Sequence, residues 1–69
     1  MSGLEPAGFG DTIREARKRQ GWSQVELGEK SGVSRPTIAR VEANKDVTTA
    51  TIIKIAQALG LTLELKDAD

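Results

Sequence analysis

The sequence predicts an all-α domain, a compact bundle of four or five helices followed by one short C-terminal β-strand. Apolar residues recur three and four positions apart, capping residues precede these stretches, and leucines alternate with polar residues near the end. At 69 residues the chain has room for one small domain. We expect a flexible arm over residues 1–8, a helical domain over residues 9–60, a strand over residues 61–66 and a tail over residues 67–69.

Two predicted helices come first. The first covers residues 9–20, and Gly21 supplies its C-terminal stop. The second covers about residues 24–30 and follows a predicted capping box, in which the Ser23 and Glu26 side chains each bind the other residue's backbone N–H group.

Two further helices complete the predicted domain. The third follows Ser34, a capping residue, and stops near Asn44. The fourth begins after Thr48 or Thr49 and runs to Leu59. Helical spacing predicts a core that consists of Phe9, Ile13, Ala16, Val25, Leu27, Ile38, Val41, Ile52, Ile55, Ala56 and Leu59.

The second and third helices and the turn between them form a candidate helix-turn-helix. The turn, residues 31–33, contains Gly32, whose positive φ would let the helices cross steeply. Pro36 stiffens the first turn of the third helix without the loss of a hydrogen bond. In DNA-binding proteins of this type, the second helix of the motif enters the major groove. Any pair of helices joined by a tight turn could use the same parts, so the motif alone leaves both interpretations open.

Composition narrows the classes of function. The chain has no Cys and no His, which excludes disulfides, thiolate or imidazole metal sites, and catalysis by Cys or His. The acidic residues form no metal-type cluster, so we predict no enzyme, no metal site and no cofactor. With no apolar run of ~18 residues and no visible secretory signal, we expect a cytoplasmic protein with no membrane partner.

The charges are balanced overall but unevenly distributed. Formal net charge is zero, yet residues 11–45 are rich in Lys and Arg, whereas residues 46–69 are acidic. This distribution favours a phosphate-facing side and an opposite side with another role. An ordinary solvated surface would produce the same balance.

Four blocks of the sequence carry a family resemblance. They are residues 13–17 (IREAR), 21–27 (GWSQVEL), 32–42 (GVSRPTIARVE) and 55–60 (IAQALG). In this order and spacing they resemble the Xre family, the helix-turn-helix proteins of the Cro and phage-repressor type. The resemblance extends over roughly residues 9–61 and implies a DNA-binding domain whose third helix is the recognition helix.

The resemblance also implies which residues contact DNA. Those expected to read base edges are Arg35, Pro36, Thr37 and Arg40. The resemblance implies phosphate contacts for Gln24, Asn44 and Lys45, and we further expect Arg14, Lys18 or Arg19, and Ser34 to contact phosphates. The alternative for Gln24 is an ordinary solvated side chain. Arginine can bind both hydrogen-bond acceptors of a guanine. The alternative for Arg35 and Arg40 is contact with phosphates without recognition of the base sequence. Pro36 departs from family members that have a polar residue there, and it offers only an apolar surface, suited to a thymine methyl group.

Arg17 and Glu42 have a different expected role. The matching positions in the family form a buried ion pair between the first helix and the end of the third. Removal of one partner would strand the other as an uncompensated buried charge. We therefore predict a structural ion pair and do not count Arg17 among the DNA contacts.

The predicted strand needs a partner. Its apolar face consists of Leu61, Leu63 and Leu65. A lone strand exposes unpaired backbone groups along its edges, and pairing with the same strand of a second copy would satisfy one edge. In such a homodimer the two recognition helices, ~34 Å apart, would read a palindromic operator. The alternative is a tail that frays or folds back on its own fourth helix.

The C-terminal third narrows the resemblance further. The loop and helix start DVTTAT, residues 46–51, and the ending LTLEL, residues 61–65, resemble HipB-type antitoxins, and HigA-type antitoxins share much of the same domain. The HipB group implies a homodimer that represses its own operon and binds a HipA-like kinase toxin. We therefore predict the antitoxin of a type II toxin–antitoxin module. The alternatives are a stand-alone phage-type or controller repressor and a protein-interaction module that has lost DNA binding.

Overall fold

Four helices account for most of residues 8–62, the part of the chain that the computed structural model describes. They are α1 (Phe9–Gln20), α2 (Gln24–Ser31), α3 (Arg35–Glu42) and α4 (Thr49–Ala58). The prediction of an all-helical domain is confirmed, with four helices. Residues 61 and 62, at the start of the predicted strand, have no regular secondary structure, and no strand occurs between residues 8 and 62. The rest of the predicted strand, most of the predicted arm and the tail lie outside the described residues.

Side-chain caps fix the starts of three helices. The predicted capping box at α2 is present, because the Ser23 hydroxyl accepts from the Glu26 N–H at 3.0 Å and the Glu26 carboxylate accepts from the Ser23 N–H at 2.7 Å. Ser34 caps α3 and Thr48 caps α4 in the same way, by accepting a backbone N–H three residues ahead. Local sequence therefore determines where these three helices begin.

One core joins all four helices. Its buried side chains are Ile13, Ala16, Leu27, Ile38, Val41, Ile55, Ala56 and Leu59. Contacts of α3 with α1 and α2, and of α2 with α4, enclose this core. Burial of these aliphatic side chains is the main stabilising contribution, at ~1.5–3 kcal/mol for each large one. None of the helices in residues 8–62 is long and apolar enough to cross a membrane.

Three residues of the predicted core are less buried than the helical spacing suggests. Val25 is 50% exposed, because it lies two positions before the buried Leu27 and so faces away from the core. Phe9 is 51% exposed in the first turn of α1, where the groove between α1 and α4 is open. Ile52, which lines the same groove, is half-buried.

Candidate DNA interface

The predicted recognition helix, α3, has one buried face and one exposed face. Ile38 and Val41 hold the inner face in the core and are 0% and 2% exposed. On the outer face Arg35, Pro36 and Arg40 are exposed. The structure thus places three of the four predicted base-reading residues on one accessible surface, and that surface belongs to a helix that cannot rotate without disrupting the core.

The first turn of α3 is organised by its own side chains. The Ser34 hydroxyl accepts from the Thr37 N–H at 3.4 Å and lies 2.9 Å from the Thr37 hydroxyl. Thr37 is half-buried, so its hydroxyl is engaged at the helix start and is less accessible than the neighbouring residues. Ser34 acts as a helix cap in the structure, and its predicted phosphate contact stays a prediction.

The turn between α2 and α3 brings the two helices close together. Gly32 ends α2 with a φ of 74°, in the left-handed region that favours glycine. Gly28, one turn earlier, lies against the backbone carbonyl of Val33, and a Cβ atom at this position would approach that oxygen to 2.7 Å. The role of Gly32 could be predicted from the sequence, whereas that of Gly28 could not, because the close approach depends on how the two helices cross.

A buried carboxylate connects α1, α2 and α3. Glu42, the last residue of α3, is 4% exposed, and its two oxygens accept from Arg17 Nε at 2.6 Å and Arg17 Nη2 at 2.9 Å. Gln24, the first residue of α2, donates to the same carboxylate at 3.2 Å. Arg17 also donates to the Trp22 carbonyl at 2.8 Å. Bidentate pairing with these additional hydrogen bonds satisfies a buried carboxylate and makes the cluster a rigid junction.

The surroundings of Glu42 and Arg17 favour the ionised forms of both side chains. Burial raises the pKa of Glu42, but hydrogen bonds from Arg17 and Gln24 and the charges of Arg17 and Arg14 outweigh burial and hold the pKa below the ordinary glutamate value. The hydrogen bond to Glu42 in turn raises the pKa of Arg17, against the opposing effect of burial. Both side chains therefore stay ionised in the folded protein at neutral pH.

The predicted phosphate contacts of α1 fall on two sides of the helix. Arg14 pairs with Asp11 of the same helix at 2.9 Å. It also donates to the Glu42 carbonyl, at the end of α3, at 3.5 Å. Lys18 is exposed in the last turn of α1. Arg19 lies beside Leu61, on the side of α1 that faces the end of the described chain. The structure brings Arg14 and Gln24 to the Glu42 cluster and does not bring Arg19 there.

The loop after α3, residues 43–48, has a structural role that its sequence does not predict. Asn44 adopts a φ of 60°, and its side-chain oxygen accepts from the Gly10 N–H in the first turn of α1 at 3.0 Å. Gly8, at the N-cap position of α1, has no side chain to make this bond. The uncapped start of α1 was the one available signal, but no neighbouring residue indicated a hydrogen-bond acceptor 34 residues away.

The loop also contains an exposed lysine and is bound by an arginine of α3. Lys45 is exposed, and Arg40 donates to the Asp46 carbonyl at 3.1 Å.

Leu61 packs against the core and borders an apolar groove of about 170 Å³ between α1 and α4. Leu63 and Leu65, the other predicted dimerisation residues, lie outside the described residues. Between residues 8 and 62, no cluster of acidic side chains could hold a metal ion.

Comparisons with known proteins agree with this geometry. The family model described as helix-turn-helix matches residues 13–66. The antitoxin HipB of Escherichia coli K12 is 39% identical over 64 residues, which cover 91% of this chain and 73% of the antitoxin. The transcriptional regulator SutR of the same strain is 37% identical over 51 residues, which cover 72% of this chain and 29% of SutR.

Solved structures of HipB have the same fold. One chain of a HipA–HipB–O2–O3 complex superposes with a TM-score of 0.76 and 32% identity, over 94% of this chain and 97% of that one. The HipB–O4 20mer complex gives a TM-score of 0.74 and 36% identity, over 87% and 86% of the two chains. The chain belongs to the helix-turn-helix family of the Xre type and, within it, to the HipB antitoxins.

Proposed function

We propose that this protein is an antitoxin that represses its own operon by binding operator DNA as a homodimer. The observation that carries the proposal is α3, whose inner face is fully buried while Arg35, Pro36 and Arg40 stay exposed on the outer face. A helix held in this way can present a fixed set of side chains to the major groove. Membership of the HipB antitoxins supports the same function and argues for a binding protein over an enzyme.

Base reading and phosphate contact are divided between the elements. The outer face of α3 reads base edges, with Arg35 and Arg40 suited to guanine. Phosphate contacts come from residues around it, of which Gln24 at the start of α2 and Lys45 after α3 are the best placed. Gln24 donates one amide hydrogen to Glu42, and a second hydrogen on the same nitrogen is available for a phosphate.

Dimerisation uses the end of the chain. Residues 61–66 pair as a strand with the same residues of a second copy, beyond the helical domain of residues 9–60. Leu61 already borders the apolar groove between α1 and α4, and Phe9 at its rim is half exposed. A second copy would cover this surface and place two recognition helices on one side of a palindromic operator.

The toxin partner is a HipA-like kinase. A solved complex contains HipB together with HipA, and its HipB chain matches 94% of this protein. The toxin would bind surface away from α3, so that the complex could stay on DNA.

Binding to the DNA upstream of the protein's own gene tests the repressor function. We expect specific binding, and the Arg35→Ala variant should weaken it and relax the preference at the base pair that Arg35 reads, with a smaller effect on a random duplex. Lys45→Ala should instead weaken specific and random binding alike and lower the salt slope by about one. Lys54→Ala, which removes one charge from the exposed side of α4, is the matched control and should change neither. Equal binding of the wild-type protein to operator and random DNA would contradict the proposal.

Affinity purification from the host tests the toxin partner. The tagged chain should retain a kinase-like protein in equimolar amount, with the tag at either end. Self-association alone would identify a stand-alone repressor.

A further inference from the structure

Arg40 fastens the loop that follows the recognition helix. Its Nη2 atom donates to the Asp46 carbonyl at 3.1 Å, and its own carbonyl accepts from the Lys45 N–H at 2.9 Å. The residue therefore binds the loop through both its side chain and its main chain. Lys45, a proposed phosphate contact, lies between these two points of attachment.

The two ends of the loop are fixed by other contacts. At its start, Asn44 is bound to the first turn of α1 through the Gly10 N–H. At its end, Thr48 caps α4. Lys45 and Asp46 in the middle are exposed. Among residues 8–62, the bond from Arg40 is the one side-chain hydrogen bond that restrains this middle part.

A restrained main chain favours a phosphate contact. A lysine side chain on a mobile loop loses conformational freedom of both the loop and the side chain when it binds DNA, whereas a lysine on a fixed loop loses only that of the side chain. A guanidinium group has five N–H donors. A single bond to Asp46 therefore leaves Arg40 able to contact DNA at the same time.

We propose that Arg40 is a positioning residue that holds the Lys45–Asp46 main chain and thereby presents the Lys45 ammonium group to the DNA backbone. The contact of Lys45 with DNA rests on the proposed function. The restraint of the loop by Arg40, in contrast, is a property of the protein without DNA. Arg40 thus couples the base-reading surface of α3 to the phosphate contact beside it.

Arg35 provides a matched control. It lies on the same helix, is exposed and is also a proposed base reader, but its side chain makes no hydrogen bond within residues 8–62. Substitution of either arginine by alanine removes the same group and the same charge. Only the Arg40 substitution removes the side-chain bond to the Asp46 carbonyl, whereas the main-chain bond from the Lys45 N–H to the residue 40 carbonyl remains in both variants.

Backbone dynamics of the free protein test the hold on the loop. ¹⁵N relaxation should show lower order parameters at Lys45 and Asp46 in Arg40→Ala than in the wild-type protein, with Arg35→Ala unchanged. Identical order parameters in all three proteins would overturn the inference.

A double-mutant cycle on a random DNA duplex tests the coupling to Lys45. We expect Lys45→Ala to weaken binding about fivefold in the wild-type and Arg35→Ala backgrounds, but less than about twofold in the Arg40→Ala background. The same loss in all three backgrounds would overturn the positioning role. If the wild-type protein bound no duplex, the proposed function would fail, and the relaxation measurement would still decide whether Arg40 holds the loop.

Discussion

Glu42 is the residue through which three helices are joined. Its buried carboxylate binds Arg17 of α1 and Gln24 of α2, while its own backbone ends α3. An ion pair with so little solvent exposure adds little net stability compared with apolar packing, but it strongly disfavours any state in which one partner is alone. The cluster therefore fixes how α3 sits on the domain more than it adds to the total stability.

We predict that Glu42→Ala lowers the free energy of unfolding by ~3–5 kcal/mol, because Arg17, whose side chain is only 12% exposed, is left without its partner. Urea denaturation followed by circular dichroism measures this loss. Glu15→Ala, an exposed substitution on α1, is the matched control and should change stability by at most ~0.5 kcal/mol. Equal effects of the two substitutions would show that the buried pair is not the cause.

The same carboxylate predicts a dependence of stability on pH. Because the pKa of Glu42 is lower in the folded protein, its contribution is complete above the pKa of the unfolded chain and is lost as the pH falls through the folded pKa. The stability difference between the wild-type protein and Glu42→Gln should therefore narrow below about pH 4. Urea midpoints of both proteins between neutral and acidic pH measure it, and a constant difference would contradict the assignment.

At the scale of elements, local signals and long-range contacts differ in how far sequence predicts them. The capping box at Ser23 and the stop at Gly32 depend on neighbouring residues, so the bounds of α2 could be predicted. The cap of α1 could not, because it comes from Asn44 in a loop 34 residues away. Val25 was wrongly placed in the core, since apolar character alone does not tell which side of a short helix is covered.

Asn44 has two roles that substitutions can separate, the cap of α1 and the proposed contact with DNA. Asn44→Ala should lower the free energy of unfolding by ~1–2 kcal/mol, through loss of the cap and through strain at a φ of 60°. Asn44→Gly should cost less, because glycine adopts this φ without strain. Asn44→Asp keeps an accepting oxygen and should preserve stability, while its charge weakens DNA binding. Denaturation and DNA titration of the three variants distinguish these effects, and an unaltered stability of Asn44→Ala would exclude the cap.

At the scale of the whole molecule, the helical domain accounts for DNA contact but leaves an apolar groove partly uncovered. Phe9, Ile52 and Leu61 line this groove, which lies between α1 and α4. A small domain buries a limited share of its surface, so a second copy that covers the groove would stabilise the fold as well as align two recognition helices. Stability and operator binding should therefore both depend on protein concentration in the range where the dimer dissociates.

Apolar and polar residues alternate in the C-terminal segment, so substitutions on its two faces test whether the apolar face forms the dimer. Leu63 belongs to the proposed apolar face and Lys66 to the opposite one. We predict that Leu63→Glu shifts the protein to monomer in sedimentation velocity and weakens binding to a palindromic operator far more than binding to a single half-site. Lys66→Glu, the control on the other face, should stay dimeric. A fully dimeric Leu63→Glu protein would place the dimer interface elsewhere, because a carboxylate in a paired apolar face is strongly destabilising.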